Sequence, residues 1–138
     1  GTGSVSSFTK PLRVEAVDDT DWKIIEEFDY YIGAVDSNAY VSVPAGYITD
    51  FASIPRVFWS ILPPWGPYGK AAVIHDFLCS DKYYMQRVAG VVSKVPVTRK
   101  RADDIFLEAM TVLGVSTATR NVIYAAVRAY AVVSGKNQ

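Results

Sequence analysis

Lys70-Ala71-Ala72-Val73-Ile74-His75-Asp76-Phe77-Leu78-Cys79 is the stretch where the chain changes character. On a helical wheel its apolar side chains fall all the way round, which predicts a helix over residues 70–79 buried on most sides. Before it, residues 12–16 alternate weakly, and residues 22–31 are rich in aromatic and β-branched side chains. The turn cluster Asp36-Ser37-Asn38 precedes a period-two run over residues 39–43, and residues 47–49 make one more short strand. Three or four antiparallel strands in a meander are expected there.

After that helix the pattern stays helical. Thr98 is placed to cap a helix running to Leu113, with Gly114 as its stop, and Ser116 starts a last helix ending near Ser134-Gly135. Residues 80–97 read as irregular. Upstream, Ser53 can cap a short helix opening at Pro55, and the proline- and glycine-rich residues 63–69 make a stiff loop. The expected class is α+β: an N-terminal antiparallel meander followed by three to four helices packed on it, in one domain over residues 5–138. Gly1-Thr2-Gly3-Ser4 lacks an initiator Met and is read as a cloning remnant.

Composition narrows the function. Fourteen Lys and Arg balance fourteen Asp and Glu, so nothing in the bulk charge suits a nucleic-acid backbone, and no nucleic-acid partner is expected. One cysteine and one histidine cannot supply the four Cys/His ligands of a structural zinc site, nor an internal disulfide. No apolar run reaches the roughly 20 residues of a transmembrane helix, and no signal peptide is recognised.

Over residues 71–79 of that helix only His75 and Asp76 are strongly polar. A buried imidazole and carboxylate need partners, because an unpaired charge in a core costs several kcal/mol or shifts its pKa. The pair is therefore either a satisfied structural network or a site. Asp103 bears on the choice. Ala102, Ile105, Phe106, Ala109, Met110 and Leu113 form the apolar face of its helix, and at about 100° per residue Asp103 falls on the border of that face while Asp104 falls opposite it. A carboxylate behind an imidazole fixes the tautomer and raises basicity, as a general base acting on water requires. The bland alternative is a rim aspartate paired with Arg99 or Arg101.

Asp50 and Ser53, in T-D-F-A-S-I-P-R, read first as a capping turn, with Asp50 or Arg56 facing the His75 pocket as the functional alternative. Ser53 lacks the G-x-S-x-G setting of a nucleophile. Arg120, Tyr124 and Arg128 share one helical stripe, read as a solvated face or an anion-facing one. Phe58, Trp59 and Trp65 are core aromatics or an exposed lip.

Three segments together resemble a known family. V-P-A-G-Y-I-T-D-F-A-S-I-P-R (residues 43–56), P-P-W-G-P-Y-G-K-A-A-V-I-H-D-F-L (63–78) and R-A-D-D-I-F-L-E-A-M (101–110) look like the phage and prophage family called domain of unknown function 1353. The usual tyrosine after H-D-x-L is Cys79 here. The resemblance implies a phage or prophage gene, acting in the host cytoplasm or the virion, and brings no established activity. H-D-x-x-C followed by A-D-x-x-F is also similar, at the site alone, to phospholipase A-two centres. That likeness implies His75 as the base, Asp103 as its orienter and Asp76 as a calcium ligand, with Asp50 a further acidic candidate for the metal.

Two functions follow as expectations. One is a small hydrolase, of phospholipid or another ester, in which His75 and Asp103 activate water and calcium is the cofactor considered. The other is a non-enzymatic virion or tail accessory, or a binder of a host protein, in which His75, Asp76, Asp50 and Arg56 form a buried network that fixes the packing.

Overall fold

A computed structural model describes residues 14–17, 21–33, 38–49, 57, 60 and 69–135. Antiparallel strands lead and three helices follow among these residues, the expected α+β class. The chain forms two compact units, Gly1–Asp50 with Tyr83–Pro96, and Phe51–Lys82 with Val97–Gln138. Asp50, Ser53 and Arg56, the helix expected at Pro55, the loop at 63–68 and the aromatics Phe58, Trp59 and Trp65 lie outside the described residues.

The strand unit holds two sheets rather than one meander. The run expected as one strand over residues 22–31 is two: β2 (Trp22–Ile24), between β1 (Val14–Ala16) and β5 (Ile48–Thr49), and β3 (Phe28–Tyr31), paired with β4 (Ala39–Val43). The break at Ile25-Glu26-Glu27 hands the chain from one sheet to the other. In the β3–β4 ladder Phe28 faces Val43 and Tyr30 faces Val41, all four buried, whereas Asp29 faces Ser42 and Tyr31 faces Tyr40. This is the alternation of a sheet with one covered face.

Residues 80–97 are not irregular. They carry β6 (Tyr83–Val88) and β7 (Val91–Pro96), a hairpin that extends the second sheet in the order β3-β4-β6-β7. Ala89 and Gly90 turn it at φ 53° and 80°, the positive values that suit right-twisted strands. Most of its side chains are exposed or half-exposed on both faces, so no period-two signal marked it.

The helical unit is built from α1 (Gly69–Asp81), α2 (Arg99–Val112) and α3 (Thr117–Val133). α1 is buried without interruption from Ala71 to Leu78, as its all-round apolar wheel requires. Ile74, Phe77 and Leu78 each contribute roughly 1.5–3 kcal/mol by leaving water. α1 runs two residues beyond the expected Cys79, and Lys82 follows it at φ 61° with its N–H on Leu78 O at 3.1 Å.

Thr98 caps α2 by accepting from Arg101 N, and Ser116 caps α3 by accepting from Thr119 N. Past α2, Gly114 at φ +88° gives its N–H to Thr111 O while Val115 gives its own to Met110 O, a paired closure of the last turn. Nothing lies within 4 Å of a Cβ added at Gly114. Gly114→Ala therefore carries only the left-handed backbone penalty, about 1–2 kcal/mol, expected as a lower urea midpoint with an unchanged m-value.

Candidate functional site

The three helices converge on one carboxylate. Asp103 of α2 is fully buried, as is His75 of α1, and His75 Nε2 lies 2.5 Å from Asp103 Oδ1. Arg99, one turn before Asp103, donates Nε to the same oxygen at 3.0 Å. Arg128 of α3 donates Nη1 to the other oxygen, Oδ2, at 2.9 Å. Phe106, three residues on from Asp103, stacks on the imidazole with ring centroids 4.4 Å apart. Arg99, Asp103 and Phe106 thus share one face of α2, at spacings of four and three.

Asp103 makes both contacts the sequence offered for it, though from a fully buried position rather than a rim. It backs the imidazole and it pairs with Arg99, because a carboxylate has two oxygens and about four acceptor positions. Over Tyr124 and Arg128 the stripe meets carboxylates of α2 rather than open solvent. Tyr124 OH donates to Asp104 Oδ1 at 2.5 Å and Arg128 to Asp103, so adjacent aspartates of α2 each take one residue of α3. Arg120 donates to Val115 O. Asp104, on the wet side as expected, also holds Lys100 at 2.8 Å.

Electrostatics settle the protonation states. Burial would push the Asp103 carboxyl up, but the hydrogen bond from His75, the Arg99 guanidinium and the hydrogen bond from Arg128 outweigh it and hold the group below the usual range. Asp103 is thus ionised and can only accept. The hydrogen between it and His75 sits on Nε2, which leaves the lone pair of the neutral ring on Nδ1. Burial also dominates at His75, pushing its pKa down against the opposing pull of Asp103, so the imidazole is neutral at neutral pH.

Cys79, one turn after His75, stands 3.6 Å from the same Nε2. Burial pushes its thiol up to about 12. A thiol so far from ionising, facing the protonated ring nitrogen, is not an activated nucleophile.

His75, Cys79 and Asp103 bring ligand atoms within 4.8 Å of one another, the spacing of a metal cluster. The donor chemistry does not fit. Asp103 is committed to two guanidiniums, and a cation would have to break the His75 bond as well. Asp76 is buried, and its charge reaches His75 and Cys79. Calcium takes about six to eight oxygens. Asp76 adds a single carboxylate to this cluster, which falls short of a calcium cage. Asp50, the other expected ligand, lies outside them.

The contributions of Arg128 and Phe106 were not anticipated. Helical phase puts Arg128 beside Tyr124, but a single sequence does not say which helix that stripe meets. No described helix is long and apolar enough to cross a membrane.

Comparison with known proteins gives one family and one relative. The model of the family described as "Protein of unknown function (DUF1353)" matches residues 22–127. The "Uncharacterized protein y4jT" of Sinorhizobium fredii is 45% identical over a stretch covering 36% of this chain and 18% of that protein. The match therefore spans less than a fifth of that relative's length. No solved structure matches the chain.

Proposed function

The chain belongs to the DUF1353 family, and we propose that its His75–Asp103 pair is the water-activating centre of a small ester hydrolase. The observation that carries this reading is the 2.5 Å bond from His75 Nε2 to Asp103 Oδ1, made across two helices in a dry setting. That bond reserves Nδ1 as the basic nitrogen. Burial keeps the ring neutral, the form a base must have before it takes a proton, and the two arginines keep Asp103 ionised to receive the imidazolium.

In the proposed reaction Nδ1 takes a proton from water as the oxygen attacks the ester carbonyl. The imidazolium then gives that proton to the departing alkoxide as the C–O bond breaks, leaving acid and alcohol. The substrate assigned is an ester, with phospholipid as the member suggested by the H-D-x-x-C and A-D-x-x-F likeness to phospholipase A-two centres. A phage or prophage origin belongs to the same proposal, on the strength of the three motifs. No step is routed through a metal.

The test is hydrolysis of a short-chain p-nitrophenyl ester and of mixed phospholipid vesicles, with and without calcium, by the wild-type chain and by His75→Gln. Glutamine can still donate to Asp103. Loss of a general base is expected to cut turnover by roughly 10²- to 10⁴-fold while the melt stays cooperative. Equal rates from the two proteins sink the proposal.

A second reading is favoured by one observation, the zero exposure of both His75 and Asp103. In it the network fixes helix packing in a non-enzymatic phage component, a virion or tail accessory or a host-protein binder. The wild type would then turn over no ester, and the whole effect of His75→Gln would fall on stability.

A further inference from the structure

One buried polar group at this centre meets no partner among the described residues. Arg99 sits at the first position of α2, and its side chain runs along the helix to place Nε on Asp103 Oδ1. An arginine facing a carboxylate ordinarily uses two N–H groups side by side on two oxygens. That arrangement is not made here: Nε alone reaches the carboxylate, on the Oδ1 that His75 shares, while Oδ2 takes Arg128. Arg99 Nη2 is buried and meets no hydrogen-bond partner among the described residues. The side chain is 6% exposed, against none for His75 and Asp103, so it lies nearer the rim of the cluster than they do.

A buried, charged donor with nothing opposite it is rare in a folded protein, and a guanidinium cannot relieve the cost by losing a proton. Among the described residues nothing supplies an acceptor for this donor.

We propose that Arg99 Nη2 is the recognition donor for an anionic oxygen of a small ligand, phosphoryl or carboxylate, bound beside the His75–Asp103 pair. Asp103 holds the guanidinium in place by fixing Nε. Arginine suits the task through its rigid planar fork, which presents Nη2 in a set direction once Nε is anchored. This binding role does not depend on any bond being broken in the ligand. Its failure and the failure of the hydrolase proposal are therefore separate results.

The test is titration of inorganic phosphate and, separately, acetate at constant ionic strength, followed by melting temperature and by the Arg99 side-chain 15N resonances. Saturable stabilisation of the wild type by either anion, with a shift of the Arg99 signals, is the expected result. The anion that binds identifies the ligand class as phosphoryl or carboxylate. Arg99→Lys keeps an i,i+4 ion pair with Asp103 but carries all its donors on one nitrogen and places none where Nη2 stands, and losing that charge-assisted hydrogen bond should weaken binding roughly tenfold or more. Lys100→Gln, on the neighbouring exposed side chain, should bind as the wild type does. The proposal is overturned if neither anion binds saturably, if Arg99→Lys binds as well as the wild type, or if Lys100→Gln loses binding equally. Should Arg99→Lys fail to fold, the wild-type resonances decide: no shift of the Arg99 signals on phosphate or acetate overturns it too.

Discussion

Asp103→Ala is expected to lower the melting temperature by about 10 °C or more, while Asp104→Ala moves it by only a few degrees. The two aspartates are neighbours in sequence with similar numbers of partners, so the contrast isolates burial. Removing Asp103 takes away the acceptor shared by a fully buried imidazole, a buried arginine and the partly buried Arg128. Breaking a buried ionic network by deleting one partner costs about 3–5 kcal/mol, because charges remain that water cannot reach. For a chain of this size each kcal/mol shifts the midpoint by about 2–4 °C. Asp104 keeps a third of its side chain in water, and its bond to Lys100 is an exposed i,i+4 pair worth about 0.3–0.5 kcal/mol. Equal shifts for the two variants would show that the Asp103 network does not hold the helices together.

This asymmetry was partly legible in the sequence. The helical phase of α2 set Asp103 on the inward border and Asp104 on the wet side, and that much needs only the 100° step and the positions of Ile105, Phe106 and Met110. The caps Thr98, Gly114 and Ser116 were legible for the same reason: each acts within its own turn. What the sequence does not carry is which element faces which. Arg128 could be placed on a stripe with Tyr124 but not opposite Asp103, since that depends on how α3 meets α2. The split of the expected strand at Ile25-Glu26-Glu27 was hidden because aromatic and β-branched residues continue on both sides of it. The hairpin β6–β7 escaped because a strand pair open on both faces has no buried set to impose alternation, and its Ala89-Gly90 turn lacks the usual Asn or Asp.

The second large effect is in acid. His75 is the single histidine of the chain, so proton uptake by imidazole has one source. Burial, its largest influence, holds the folded pKa below the ordinary 6.5, with Asp103 opposing only in part. As pH falls below 6.5 the unfolded chain takes a proton that the folded chain refuses. Stability must then fall with pH, by up to about 1.4 kcal/mol per pH unit, until the folded-state pKa is reached. Asp103 adds a loss of the same sign at lower pH. Its stabilisation is present above the ordinary carboxyl value of 3.8 and disappears as pH drops through its own depressed pKa. Urea melts of the wild type between pH 7 and 2 should therefore show a stability slope beginning near 6.5, and His75→Gln should remove that upper part while a loss from Asp103 persists below 3.8. If the variant keeps the upper slope, the imidazole is not held neutral by burial. The hydrolase proposal would then lose its neutral base, because the proton that loosens the fold in acid is the one that would silence Nδ1.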